Sequence, residues 1–155
     1  MSLNLFPADP DRGQIWEMLV PRDIAAFIAA DWSMVADDFI TDGFCGLHAH
    51  GSRDPDDWTL SFPTLAAYRD EWLRQAAETA ATAFAEDPAA AIHRATDLSR
   101  IDIEADMAIA HKKFDGTIRL ASGREDRLNW QTLYQCRRVG GRWRIAGFTG
   151  YMAHR

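Results

Sequence analysis

The chain has little cysteine, no surplus of positive charge, no long apolar run and no internal repeat or low-complexity tract, and each shortage narrows what it is. Cys45 and Cys136 are its 2 cysteines. They lie far apart and form no Cys-x-x-Cys pattern, so neither a zinc knuckle nor a dithiol redox site is indicated, and no metal or other cofactor is expected. In a reducing compartment both are expected to be small buried side chains. The formal charge of −6 argues against a nucleic-acid partner, because holding phosphates needs a basic surface that releases counterions. The local concentration of Lys112, Lys113, Arg137, Arg138, Arg142 and Arg144 reads as the solvated side of strands. Charges interrupt every hydrophobic stretch before the ~20 residues a membrane helix needs. Met1 to Pro10 is polar and broken by prolines, with no basic segment ahead of an apolar one. No export signal and no membrane association are therefore expected, and the expected location is cytoplasmic.

What is present suits one domain over residues 1–155, with a core spanning roughly 11–151; the 155 residues suffice for one core and not for two. The first third reads as helix. Ile15, Trp16, Leu19, Ile24, Phe27 and Ile28 recur at helical spacing, and Pro21 divides or kinks the segment because it lacks a backbone donor. Asp31 suits the cap of a short helix carrying Trp32, Val35 and Phe39, and Phe44 to His50 reads as a short strand. Residues 51–62 form a polar loop in which Trp58, Leu60 and Phe62 are embedded. Side chains that large are expected to pack down, here over the mouth of a cavity, in a segment more mobile than the sheet.

The strongest periodicity comes after Pro63, with Leu65, Tyr68, Trp72, Leu73, Ala76, Ala80, Ala83 and Phe84 repeating at three and four until Asp87-Pro88. After Ala91 the pattern is strand throughout. Ile101 and Ile103 alternate with charged neighbours, Glu104-Ala105-Asp106 turns, and Met107, Ile109 and His111 return. Asp115-Gly116 signals a turn or bulge, and Trp130, Thr132, Tyr134 and Cys136 form one face of a long strand. Gly140-Gly141 closes a tight hairpin, and Trp143 and Ile145 share a face on the last strand. With Trp143 inward, Phe148 is left on the outer face, where a second copy of the chain would cover it, so a homodimer through the sheet is expected.

Two segments carry a family resemblance. Ala30-Asp31-Trp32 through Ala36-Asp37-Asp38-Phe39 resembles the end of the first helical segment in the NTF2-like (SnoaL-like) superfamily, and Gly140-Gly141-Arg142-Trp143-Arg144-Ile145 resembles its final hairpin. The resemblance implies an α+β fold, with N-terminal helices and one long amphipathic helix packed on a strongly curved antiparallel sheet that encloses a cone-shaped cavity. The motifs are structural, and the superfamily holds isomerases, dehydratases, hydrolases, cyclases and non-catalytic dimeric modules. Against the ketosteroid isomerase pattern, Asp42 falls one position from the general-base aspartate. Asp23 falls near the oxyanion tyrosine and cannot donate when ionised.

The hairpin register selects the first candidate site residue. With Glu104-Ala105-Asp106 as a three-residue loop, Ile103 faces Met107, Ile101 faces Ile109, Ser99 faces His111 and Asp97 faces Lys113. That register carries His111 into the cone as a proton-transfer group, with Asp42 the other catalytic candidate. His48 and Tyr134 are candidates for polar contacts with a ligand, Trp72 and Trp130 for its aromatic walls, and Tyr68 is a further ligand-binding candidate. His48 and His50 share a strand face at a spacing compatible with a metal, but a third ligand would have to converge from His93, His111, Asp54 or Asp56. The paired acids Asp37-Asp38 and Asp56-Asp57 read as solvated. The function these features suggest is binding of an apolar or aromatic small molecule, with cofactor-independent lyase, isomerase or hydrolase chemistry if there is catalysis. The alternative is a non-catalytic dimeric binding or assembly module.

Overall fold

A computed structural model describes residues 2–155, so that Met1 of the expected domain lies outside the described residues. Helix α1 (Pro10–Glu17) begins where Asp9 accepts from Arg12 N and Pro10 occupies the first turn, a place where its missing donor costs nothing. At Pro21 the chain does not break. It passes through a single π turn, Met18–Arg22, into α2 (Asp23–Ala29). The wider turn absorbs a residue that has no amide and crowds the carbonyl behind it. Asp31 caps as expected, accepting from Ser33 N, but it opens two 3-10 turns, Trp32–Met34 and Ala36–Asp38, in place of one helix.

Strand β1 (Cys45–His48) and β2 (Thr59–Phe62) precede the long helix α3 (Leu65–Ala80), which Thr64 caps by accepting from Ala67 N. Asp87-Pro88, expected to stop a helix, starts another. In α4 (Pro88–Ala95), Asp87 accepts from Ala90 N and Pro88 sits in the first turn, so the strand pattern begins only at Thr96. The alanine run of α4 favours helix in any case. Four long strands complete the chain: β3 (Thr96–Glu104), β4 (Met107–Arg119), β5 (Glu125–Val139) and β6 (Arg142–Met152).

The strands form one sheet in the order β2-β1-β6-β5-β4-β3. All neighbours are antiparallel except β1 and β6, which run parallel. The helices cover one face, where Ile15, Met18, Leu19, Val20 and Ile24 meet Ala108, Ala110, Cys136, Trp143 and Ile145 in one core. β4 runs through Asp115-Gly116 without turning. Gly116 is there for space, since a Cβ would sit 2.8 Å from the Ala95 Cβ at the end of α4.

Two registers differ from the expected ones, and both differences reach the site. The β3–β4 hairpin closes with Glu104 opposite Met107, Ile103 opposite Ala108 and Ile101 opposite Ala110. Its loop has two residues, with Ala105 at φ 53°. A shift of one residue exchanges the faces of a strand, so Ala108, Ala110 and Lys112 face the helices and Met107, Ile109 and His111 face outward. Small inward residues are what close approach of the helices requires. In β6, Cys136 pairs with Ile145 but Gln135 pairs with Gly147, so one extra residue bulges at Ala146. Alternation resets there, and Phe148 turns inward with Trp143 and Ile145; it is 4% exposed, against an expected outward position. The β1 residue beside it is Gly46, where a Cβ would lie 2.7 Å from Phe148 Cζ.

Lys112 and Asp38, both read as solvated, are buried. Asp38 accepts from Arg22 Nε and Nη2 at 2.8 Å and from Arg142 Nη2 at 2.7 Å, which ties the π turn, the second 3-10 turn and the start of β6 together.

Candidate functional site

Between α2, α3 and the inner face of β4, β5 and β6 lies a cavity of about 360 Å³. That volume is in the range of small-molecule pockets. Its wall is apolar and largely aromatic, with Phe27, Trp72, Phe84, Phe114, Trp130 and Phe148 among the residues that form it. Leu128, Trp130, Thr132 and Tyr134 reach it together because β5 keeps the alternation read in the sequence.

A charge pair breaks this apolar lining. Lys112, whose side chain is 1% exposed, donates from Nζ to Leu19 O in the π turn and to Asp23 Oδ2 at 3.1 Å. Asp23 is the first residue after that turn and lines the cavity as well. The Phe114 ring centroid lies 5.2 Å from Nζ, a cation–π distance. Tyr68 and Tyr134 stand nearby. Burial first, then their neighbours Tyr151 and Asp23 among others, hold both phenols well above the usual range, so they remain neutral hydrogen-bond donors.

At the α3 side, Gln75 Nε2 donates to Tyr151 OH at 3.1 Å and to Glu71 Oε1 at 3.1 Å. Glu71 is drawn down to about 2, chiefly by its hydrogen bonds from Arg74. Tyr151 takes φ 57° at a second β6 bulge, where Gln131 pairs with Met152 and Leu133 with Thr149. Its ring stacks on His48 at 4.1 Å, and His48 stacks in turn on His50 at 4.2 Å.

Four of the expected site residues, Tyr68, Trp72, Trp130 and Tyr134, line the cavity. Three do not. His111 lies on the opposite face of β4, where Nε2 and the exposed Asp102 Oδ2 are 2.9 Å apart; the one-residue shift of the hairpin puts it there. Asp42 is exposed in the turn before β1 and has no part in the lining. His48 is one layer out, behind the Tyr151 ring, and burial followed by the neighbouring His50 lowers its pKa. The loop over the mouth is also corrected. Residues 51–62 build the edge hairpin and contribute nothing to the cavity lining: Trp58 Nε1 donates to Ser52 O at 3.1 Å, Leu60 is exposed, and Phe62 packs against Phe148. Among the described residues no group of three or more His, Cys, Asp or Glu is placed to hold a metal ion.

Asp23 and Lys112 are the polar pair that the sequence reading missed. Pro21 was the available signal for Asp23, because a π turn is often found beside a functional group. The signal for Lys112 was its place two residues after Ala110 in the small-residue series Ala108, Ala110.

An α+β cone with an open, aromatic-walled cavity is the class that fold and site define. The chain has the NTF2-like, cystatin-like fold. It resembles an NTF2-like protein of unknown function from Shewanella baltica at 14% identity and TM-score 0.58, over 92% of this chain and 94% of that one. An NTF2-like protein with a cystatin-like fold from Novosphingobium aromaticivorans is similar at 14% identity and TM-score 0.57, over 93% and 82%. A third, of unknown function, from Methylobacillus flagellatus is similar at 14% identity and TM-score 0.57, over 100% and 99%. No family model and no curated protein matches the sequence. No helix among the described residues is long and apolar enough to cross a membrane.

Proposed function

We propose that the protein binds an apolar, ring-containing small molecule in the cone and moves a proton on it without a cofactor, as an isomerase, lyase or hydrolase does. The observation that carries this is the Asp23–Lys112 pair in a mainly apolar cavity of about 360 Å³ that is rich in aromatic rings. A carboxylate in such a place accepts a proton from carbon next to a carbonyl. The C–H electron pair becomes a carbon–carbon double bond, the carbonyl π pair moves onto oxygen, and a neighbouring ammonium stabilises the charge that develops there. Tyr68, Trp72, Trp130 and Tyr134 form the wall and supply neutral donors.

Exchange of the α-protons of α-tetralone in deuterated buffer, monitored by proton NMR, tests the chemistry. Wild type should accelerate exchange above buffer, and Asp23→Asn should lose about 10²-fold or more of that acceleration. A wild-type rate equal to that of buffer would leave binding without catalysis, and equal acceleration by both proteins would remove Asp23 as the base.

Self-association belongs to the same reading, on a different motive from Phe148. Met107 and Ile109 are 63% and 43% exposed on the outward face of β4, and a second copy of the chain would cover them. The two unpaired cysteines suit the reducing cytoplasm in which we place the protein.

A further inference from the structure

We infer that the cavity's ligand is uncharged and meets the Lys112–Asp23 pair with a cyclic amide edge, a carbonyl oxygen next to an N–H. The inference rests on the reading of the cone as a small-molecule site and adds the chemistry that the site selects. A lysine ammonium has three N–H donors. Leu19 O and Asp23 Oδ2 take two of those on Lys112. Lys112 lines the cavity, and its third donor has no acceptor among the described residues. Asp23 uses only Oδ2 within the protein, and among the described residues no hydrogen bond reaches Oδ1. The ammonium and the carboxylate therefore stand side by side, joined at 3.1 Å through Oδ2 with Oδ1 left unengaged. The complement is an acceptor beside a donor in one rigid, flat group, which is the edge of a lactam. A hydroxyl supplies both functions from a single oxygen and matches the separated pair less well.

Charge excludes the simplest competitor. The ionisable carboxylates and ammonium that line the cavity are Asp23, Glu78 and Asp126 against Lys112 alone. A carboxylate or phosphate ligand would enter a lining of net negative charge and meet an ammonium that already has a carboxylate partner. The cation does not make this an anion site. Size sets the skeleton: at the packing density of protein interiors the cavity takes about fifteen non-hydrogen atoms, two fused rings with a substituent.

Isothermal titration calorimetry of the intact wild-type protein with four compounds of one shape decides the matter. Carbostyril carries the full edge, N-methylcarbostyril lacks the donor, quinoline lacks both the donor and the carbonyl, and quinaldate is the anion. Carbostyril should bind at least about tenfold more tightly than N-methylcarbostyril or quinoline, with quinaldate weakest, because each lost partner leaves a charged group unsatisfied. In Asp23→Ala, carbostyril and N-methylcarbostyril should bind alike; if that variant does not fold, the wild-type series still decides. Equal affinities of carbostyril and quinoline would overturn the inference while leaving the small-molecule reading intact. Tightest binding by quinaldate would overturn it in favour of an anion site. Failure of every neutral compound to bind would remove the reading beneath it as well.

Discussion

At the scale of single residues, charge placement separates what the fold needs from what the site uses. Asp38 is 2% exposed and is held by two guanidinium groups. Asp38→Asn leaves those cations with a neutral partner and should cost about 3 kcal/mol, read as a lower urea midpoint at unchanged slope. His111→Gln, by contrast, should change stability by no more than about 0.5 kcal/mol and leave ligand affinity as it was, because the imidazole faces away from the cavity. A calorimetric titration of that variant checks it. The sequence gives the side on which Tyr68, Trp72, Trp130 and Tyr134 lie, the cavity wall, because each sits in an unbroken helical or alternating pattern. It misplaced His111 because two hairpin loop lengths fit Glu104-Ala105-Asp106, and one residue of difference exchanges the faces of β4.

Two histidines contribute to the acid limb of stability. Burial lowers the pKa of His48, with His50 adding to the shift, and burial lowers that of His93. Each takes up its proton more readily in the unfolded chain. Their contribution is therefore complete above about pH 6.5, the unfolded value, and is lost as pH falls through the lower folded values. Glu71, held near 2, keeps its contribution through that window and loses it only in stronger acid. Thermal melts across this range should show His48→Asn losing less stability on acidification than wild type does.

At the scale of elements, irregularities aim the site. The π turn at Pro21 places Leu19 O and Asp23 together against Lys112, and the bulges in β6 turn Phe148 and Tyr151 inward. None of these is written in a periodicity. A pattern of two or 3.6 reveals an element and its faces, while an inserted residue resets the faces without altering composition. The sequence accordingly revealed α1, α3 and the long strands well, and failed where Asp87-Pro88 acts as a start and not a stop. Gly46 gives the element scale its test. Gly46→Ala puts a methyl group within 2.7 Å of the Phe148 ring and should destabilise by about 1–3 kcal/mol, checked by denaturant unfolding. Pairing with Phe148→Leu, which removes the ring atoms in the way, should recover part of the loss.

At the scale of the whole molecule, a sheet covered by helices on one face leaves two surfaces to explain, the outward face and the cavity. Light scattering at micromolar concentration should give the mass of a dimer, and Met107→Lys with Ile109→Lys should return it to a monomer without unfolding it. For the cavity, Thr132 is 6% exposed and lines the space between Lys112 and Tyr134, so Thr132→Phe would fill the space a ligand needs. The most direct measurement is a calorimetric titration of wild type and Thr132→Phe with quinoline, alongside a thermal melt of each. One quinoline per wild-type chain, and none in a variant that melts at or above the wild-type temperature, is the predicted result. Equal binding to both proteins would put the ligand outside the cone and contradict the account.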